Sequence, residues 1–217
     1  KPSYLRKDEK ISLRKKFEEY QKLSGYNKID FFITHWPNQN ISKKKIKDFL
    51  KLKQYKSIKN IGIGNARLEE IKNFYKFSNK NLDAVEIELN IFNFFFQKKI
   101  LSFCKKNNIK VFGYSPIRWC KFKSFNSKSK KLLKKISRNF KVDFIYISLL
   151  FSLYKGVTPI VSLKNLQRYN KIKKLNKLLD NKNLKKQIFN LEKEIRRIEI
   201  VDPNKIWYLV NDFKVKL

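Results

Sequence analysis

A chain of 217 residues that is 42% hydrophobic is long and apolar enough for one domain with a substantial core. Its formal net charge of +34 is high enough to attract nucleic acid or an anionic membrane surface. The excess is carried by Lys rather than Arg and is spread along the whole chain, whereas nucleic-acid sites use clustered cations and favour Arg. It also accompanies many Asn, Ile and Phe, which AT-rich codons encode. We therefore interpret the charge as codon bias and expect no specific nucleic-acid partner.

The two cysteines and the most apolar stretch indicate the cellular environment in which the chain is expected. Cys104 and Cys120 are too few for a disulfide framework and lack metal-ligand spacing, so we expect free thiols, a cytoplasmic location and no metal site. Residues 144–154 are strongly apolar but are followed by Lys155 and Gly156, well short of the ~20 apolar residues of a membrane span. This stretch predicts a buried helix, and we expect no membrane association.

Short runs rich in Ile, Val and Phe alternate with longer helical patterns. The predicted strands are 29–34, 58–63, 84–89, 111–114 and 158–161. Most are apolar throughout, as strands buried on both faces are, and the second is the least typical because Lys59 and Asn60 interrupt it.

Apolar residues at helical spacing lie before, between and after these strands. They are Leu13, Phe17 and Tyr20, whose stripe could extend to Ser24; Ile46, Phe49 and Leu50; Leu68, Ile71, Phe74 and Tyr75; and Ile100, Leu101 and Cys104. Further helical segments are predicted at 130–139, 144–154, 165–179 and 183–199. Ser42 is the predicted N-cap of the second helix, and Pro203 ends the last one. The alternation predicts parallel βαβ units, either in an open doubly wound sheet or in part of a (β/α)8 barrel.

The single histidine, His35, directly follows the first predicted strand. A lone His near a strand end is more often structural than catalytic. Barrel enzymes, however, build their active sites at the carboxyl ends of their strands, which makes His35 a catalytic candidate.

Four segments resemble aldo-keto reductases, in the order and with the spacing of that family. They are 29–37 (IDFFITHWP, similar to DLYLIHWP), 60–65 (NIGIGN, similar to IGVSN), 84–90 (AVEIELN, similar to VVQIEYN) and 111–117 (VFGYSPI, similar to AYSPL). Residues 156–168 follow the family's GVxxIPKS…R segment more loosely, and the resemblance covers about residues 11–178.

The resemblance implies an α/β fold, a partial (β/α)8 TIM barrel with about five parallel strands and surrounding helices. We expect one domain over residues 1–217, with βα units in 1–178 and a C-terminal helix and tail in 179–217.

The resemblance also implies NADP(H)-dependent reduction of a small-molecule carbonyl substrate. His35 would be the catalytic residue that orients and polarises the carbonyl. Trp36 would line the substrate pocket, although an indole packed on neighbouring loops fits that position equally well.

Five further residues would bind NADP(H). Tyr114 would stack on the nicotinamide, in a pocket that His35 also borders. Asn65 and Glu86 would hold the carboxamide of the nicotinamide. Ser115 would meet the pyrophosphate, and Arg168 would face the 2′-phosphate of the adenosine, a task suited to guanidinium.

Several positions depart from the family pattern. Gly64 replaces a Ser, and Glu86 replaces a Gln, so that an ionised side chain can accept but not donate a hydrogen bond. Residues 161–163 read VSL where the family has PKS, with Lys164 nearby, and residues 171–172 read KI where it has EN. These departures leave the affinity for the cofactor and the preference for NADP open.

The family's general-acid Tyr and its partners Lys and Asp come from strands that precede the matched segments. Lys1 lies near the family's Lys in distance from His35, but aligning Pro2 and residues 5–8 places that Lys before residue 1. Without such an acid, proton delivery loses a factor of ~10² to 10⁴. We therefore expect the chain to be inactive alone. We expect it to be a fragment of a working enzyme, because an open barrel would expose unpaired strand edges. The full-length enzyme is expected to be a monomer. The alternatives are a catalytically inactive barrel remnant that acts as a binding protein, and a basic nucleic-acid-binding protein.

Overall fold

The structure, a computed structural model, describes residues 13–35, 43–54, 58–117 and 125–196. Its internal contacts divide the chain into two compact units, Lys1–Val85 and Glu86–Leu217, which we call the N-terminal and the C-terminal unit. The expectation of one domain over residues 1–217 stays a prediction.

Five strands and eight α-helices are assigned within the described residues. The strands are β1 (Ile29–Thr34), β2 (Ile58–Gly64), β3 (Ala84–Glu88), β4 (Lys110–Tyr114) and β5 (Thr158–Pro159). The helices are α1 (Leu13–Ser24), α2 (Lys43–Lys53), α3 (Leu68–Phe77), α4 (Phe94–Lys106), α5 (Ser127–Phe140), α6 (Phe144–Tyr154), α7 (Leu166–Leu175) and α8 (Lys182–Arg196), with a 3-10 turn at Asn176–Leu178. The strands form one parallel sheet in the order β1-β2-β3-β4-β5, which confirms the predicted α/β class.

The first four predicted strands agree with the observed bounds to within one residue, whereas the fifth is shorter. β5 pairs with β4 only through Thr158 and Pro159, and Pro159 has no amide hydrogen to donate to a ladder. Ile160 donates one last backbone bond to Gly113 at 2.7 Å, after which the chain leaves the sheet. The predicted caps Ser42 and Pro203, and residues 197–199 of the predicted last helix, lie outside the described residues.

A row of phenylalanines forms the centre of the N-terminal unit. The ring of Phe17 on α1 meets Phe32 on β1 with centroids 6.2 Å apart and planes nearly perpendicular. Phe49 on α2 lies 6.4 Å from Phe32 and 5.6 Å from Phe74 on α3. Tilted and edge-to-face pairs of this kind add to the free energy gained from burial, and they connect three helices to one strand.

An ion pair closes the start of β3 in the same unit. The Lys53 ammonium lies 2.8 Å from the Asp83 carboxylate, and Asp83 also accepts a hydrogen bond from the Ile61 amide at 3.0 Å. The Asp83 amide donates back to the Ile61 carbonyl at 3.1 Å, so β2 and the residue before β3 are joined in both directions.

Helix α6 is the central element of the C-terminal unit. All residues from Tyr146 to Ser152 are buried, which confirms the buried helix expected from the apolar stretch. Phe151 packs edge-on against Phe94 of α4, with centroids 5.1 Å apart. Among the described residues, no helix has the combined length and apolar character needed to cross a bilayer.

Helix α8 is held to this unit by a caged ammonium group. Lys155, at the end of α6, pairs with the buried Glu192 of α8 at 2.8 Å. Its Nζ lies 4.3 Å from the ring centroids of both Phe94 and Phe189. Cation–π contacts and a carboxylate together compensate for removing this charge from water.

Cys104 on α4 is a free, buried thiol. Burial raises the pKa of this thiol to about 12, so it is protonated at neutral pH and is no nucleophile. Cys120 lies outside the described residues.

Candidate active site

The carboxyl ends of β1 and β2 bring His35 and Asn65 together in the N-terminal unit. The two strands are parallel, with Thr34 opposite Ile63, so the residues that follow them lie side by side. The Asn65 side chain donates from Nδ2 to the backbone carbonyl oxygen of His35 at 2.7 Å. His35 is exposed. Its backbone carbonyl is held by Asn65, the residue that follows the neighbouring strand.

Asn65 combines this contact with an uncommon backbone conformation. Its φ of +53° lies in the left-handed region, which Asn tolerates better than most residues with a side chain. An amide group has two donor hydrogens and one acceptor oxygen, and one hydrogen is directed at His35. The expected contact of Asn65 with a nicotinamide carboxamide stays a prediction.

The glycine that replaces the family's Ser has a steric cause in this structure. A Cβ atom at Gly64 would lie 2.6 Å from the Thr34 carbonyl oxygen and 3.0 Å from that of His35. Backbone atoms cannot swing away as a flexible side chain can. The ends of β1 and β2 therefore lie too close together to leave space for a serine side chain at position 64.

Tyr114 and Ser115 lie at the end of β4 in the C-terminal unit. Tyr114 is half-buried, and its carbonyl accepts a hydrogen bond from the Leu89 amide, just after β3, at 3.1 Å. Ser115 has a φ of +53°, a conformation that costs a residue with a Cβ roughly 1–2 kcal/mol. A Cβ at Gly113, the residue before Tyr114, would lie 2.8 Å from Val157 Cγ1, so this end of β4 is closely packed.

Glu86 lies within β3 and is half-buried between the buried Val85 and Ile87. It is therefore in the strand that the resemblance implied, two residues before the buried Glu88.

Arg168 lies in the first turn of α7. The Asn165 side chain caps this helix by accepting from the Arg168 amide at 2.8 Å. The Arg168 side chain is half-buried, and its Nε atom is buried with no hydrogen-bond partner among the described residues. A guanidinium group at a helix N-terminus suits a phosphate, because the helix dipole and the side chain both favour an anion there. The nearby Lys164 is exposed.

The remaining predicted positions are Trp36, Lys171 and Ile172. Trp36 lies outside the described residues. Lys171 is exposed and Ile172 is half-buried on α7. Within the described part of the chain, no group of three or more His, Cys, Asp or Glu side chains is arranged to hold a metal ion.

Two buried asparagines that sequence reasoning gave no role shape the turn after β3. Asn90 accepts from the amides of Phe92 and Asn93 at 3.0 and 3.2 Å. Asn93 accepts from the Asn90 amide at 2.7 Å and donates to the Glu88 carbonyl at 3.2 Å. Side-chain hydrogen bonds of this kind are typical of Asn in turns. The spacing of the two Asn residues in the sequence therefore indicates a turn after β3.

The chain is similar to proteins of the aldo/keto reductase family. A model of the aldo/keto reductase family matches residues 2–189. A curated relative, the 9,11-endoperoxide prostaglandin H2 reductase of Trypanosoma cruzi (strain CL Brener), is 28% identical over 101 residues, which are 46% of this chain and 35% of that protein.

Solved structures show the same fold. A thermostable aldo-keto reductase in complex with the inhibitor epalrestat aligns with a TM-score of 0.72 at 21% identity, over 82% of this chain and 65% of that chain. An aldo/keto reductase from Klebsiella pneumoniae in complex with NADP and acetate aligns with a TM-score of 0.64 at 11% identity, over 94% of this chain and 65% of that chain.

The chain thus spans about a third of the curated relative and 65% of each of these two solved chains. The structural likeness confirms the predicted TIM-barrel type of fold for the part that is covered. Because the family model matches most of the sequence, we conclude that this protein belongs to the aldo/keto reductase family.

Proposed function

We propose that this protein acts in the NADP(H)-dependent reduction of a small carbonyl compound to an alcohol. The observation that carries the proposal is the hydrogen bond from Asn65 Nδ2 to the His35 carbonyl, at the strand ends where the family model and the sequence motifs coincide. In such a reaction the bound cofactor supplies a hydride to the carbonyl carbon, and the carbonyl oxygen gains a proton.

His35 is the residue that we assign to the substrate oxygen. An imidazole N–H can donate a hydrogen bond to a carbonyl oxygen, which polarises the carbonyl and fixes its orientation. The exposed side chain leaves room for such a contact, and the bond from Asn65 limits movement of the backbone that carries it.

The residues assigned to the cofactor fit a dinucleotide phosphate chemically. Arg168 has a buried Nε with no hydrogen-bond partner among the described residues, and it lies in the first turn of a helix. We assign it to the 2′-phosphate of the adenosine, which supports NADP over NAD. Tyr114 offers an aromatic face for the nicotinamide, and Ser115 offers a hydroxyl and backbone for the pyrophosphate.

Glu86 and the segment 161–163 weigh against tight binding. A carboxylate at position 86 can accept from the carboxamide NH₂ but cannot donate to its oxygen. We therefore expect binding weaker than a complete set of family residues would give. The cytoplasmic location inferred from the two cysteines belongs to the same proposal.

The experiment is a calorimetric titration of the chain with NADPH, NADH, 2′,5′-ADP and 5′-ADP. We expect NADPH and 2′,5′-ADP to bind at least ~10-fold more tightly than their partners without the 2′-phosphate, as the loss of one charged hydrogen-bond pair predicts. Tripolyphosphate controls for the net charge of +34, because its binding should vanish as salt is raised while NADPH binding persists. Binding of all five anions in proportion to charge alone, or of none, would overturn the proposal.

A further inference from the structure

The buried helix α6 contains two serines that behave differently. Ser148 and Ser152 are 2% and 0% exposed in an otherwise apolar environment. Ser152 donates to the Ser148 carbonyl at 3.2 Å, the bond that a serine usually makes within its own helix. The Ser148 hydroxyl instead makes two bonds outside the helix.

The Ser148 hydroxyl joins the turns that follow β3 and β4. Its oxygen accepts from the Ile91 amide at 3.1 Å, and its hydrogen is donated to the Pro116 carbonyl at 2.6 Å. Ile91 is 3% exposed and Pro116 is also buried, so removing the hydroxyl would deprive a buried donor and a buried acceptor of this partner.

The turn held in this way contains a strained residue. This residue is Ser115, which has a φ of +53°. The carbonyl of Tyr114 before it accepts a hydrogen bond from the Leu89 amide. The carbonyl of Pro116 after it accepts one from the Ser148 hydroxyl. A left-handed serine persists where its surroundings over-determine its conformation. Here both neighbours of Ser115 are hydrogen-bonded, one to the residue after β3 and the other to α6.

We propose that Ser148 is a positioning residue for the cofactor site, holding residues 114–116 in the conformation that binds the dinucleotide. The inference rests on the proposed function for what Tyr114 and Ser115 bind, whereas the bridge from Ile91 through Ser148 to Pro116 does not depend on it. Ser148 acts through the turn and touches no substrate or cofactor.

The test compares Ser148→Ala with Ser152→Ala, a matched change one turn along the same buried helix. Amide hydrogen exchange read by NMR should accelerate at least ~10-fold at Ser115 and Ile117 in Ser148→Ala relative to Ser152→Ala. Exchange at Leu191 in α8 should be the same in both variants. NADPH affinity should fall at least ~10-fold in Ser148→Ala and less than ~2-fold in Ser152→Ala, since only the first loosens the turn.

Three outcomes would overturn the inference. Equal exchange at Ser115 in the two variants would show that the bridge does not hold the turn. Faster exchange with unchanged NADPH affinity would show that the turn does not need to be held for binding. Equal losses of affinity in both variants would assign Ser148 to general stability.

Failure of the proposed function has a different signature. If the unmodified chain binds neither NADPH nor NADH, that function fails, and with it the cofactor role of Ser148, while the exchange comparison still decides whether Ser148 holds the turn. If Ser148→Ala does not fold, Ser148→Cys and Ser152→Cys take the same places, because Cys nearly preserves volume and hydrogen-bonds weakly.

Discussion

The side-chain amide of Asn65 lies 2.7 Å from the backbone carbonyl oxygen of His35, so the residue after β2 holds the residue after β1. The two residues are 30 positions apart in the sequence and meet because parallel pairing brings the ends of their strands to the same edge. The contact therefore joins the side chain of a proposed cofactor-binding residue to the backbone of the proposed catalytic residue.

Replacing Asn65 separates its hydrogen bond from its backbone conformation. Asn65→Gly removes the bond but accepts the φ of +53°, and we expect a loss of about 1 kcal/mol in the free energy of unfolding. Asn65→Ala removes the bond and adds strain at positive φ, so it should cost roughly 1–2 kcal/mol more. Urea denaturation measures both. Equal stability of the two variants would mean that the strain at this position is negligible.

His35→Ala should reduce carbonyl turnover far more than it reduces NADPH binding, because the imidazole is assigned to the substrate oxygen and not to the cofactor. The loss of one hydrogen bond to the reacting oxygen predicts a fall of ~10²-fold or more in kcat in a form of the protein that reduces carbonyl compounds. Steady-state kinetics and fluorescence titration of NADPH give the two numbers. Similar losses in both would make His35 a structural residue.

Gly64→Ala tests the steric explanation for the missing Ser. The added Cβ would lie 2.6 Å from the Thr34 carbonyl oxygen, and forcing the strands apart should cost about 1–3 kcal/mol. Gly25→Ala is the comparison, because nothing lies within 4 Å of its Cβ and only the φ of +71° opposes it. Its cost should stay near ~1 kcal/mol. A neutral Gly64→Ala, measured by thermal and urea unfolding, would show that the ends of β1 and β2 separate freely.

The sequence predicted the strands and helices well because burial on both faces of a parallel sheet leaves continuous apolar runs, and helices leave apolar stripes. The same patterns placed His35, Asn65 and Tyr114 at or directly after strand ends, where the structure has them. The link through Ser148 could not be read in this way. Its partners lie 57 and 32 residues away, and a serine in an apolar helix has no pattern that reports what its hydroxyl reaches. Gly64 likewise looked like a lost hydroxyl until the Thr34 carbonyl was placed beside it.

Cys104 should report on unfolding and on alkaline pH. In a Cys120→Ser variant, a thiol reagent at pH 8 should react with Cys104 only as fast as the chain opens, since the thiol is buried. Its folded pKa of about 12 lies above the ordinary value of 9.0, so the protonated thiol favours the folded state. That contribution is fully present below pH ~9 and is lost as pH rises towards ~12. Cys104→Ala should therefore lose less stability than the parent variant between these pH values, and immediate labelling at pH 8 would contradict the buried placement.

Arg168→Ala should weaken NADPH binding without a matching loss of NADH binding. The guanidinium is assigned to the 2′-phosphate, and a charge-assisted hydrogen bond contributes about 1.5–3 kcal/mol, or roughly 10- to 150-fold in affinity. Arg138→Ala on α5 removes the same charge from an exposed position and controls for the general attraction of anions to this basic chain. Titration of both variants with NADPH and NADH distinguishes the roles. If Arg168→Ala lowers both affinities equally while Arg138→Ala lowers neither, Arg168 supports the fold of α7 and its first turn, and the discrimination between NADP and NAD must come from other residues.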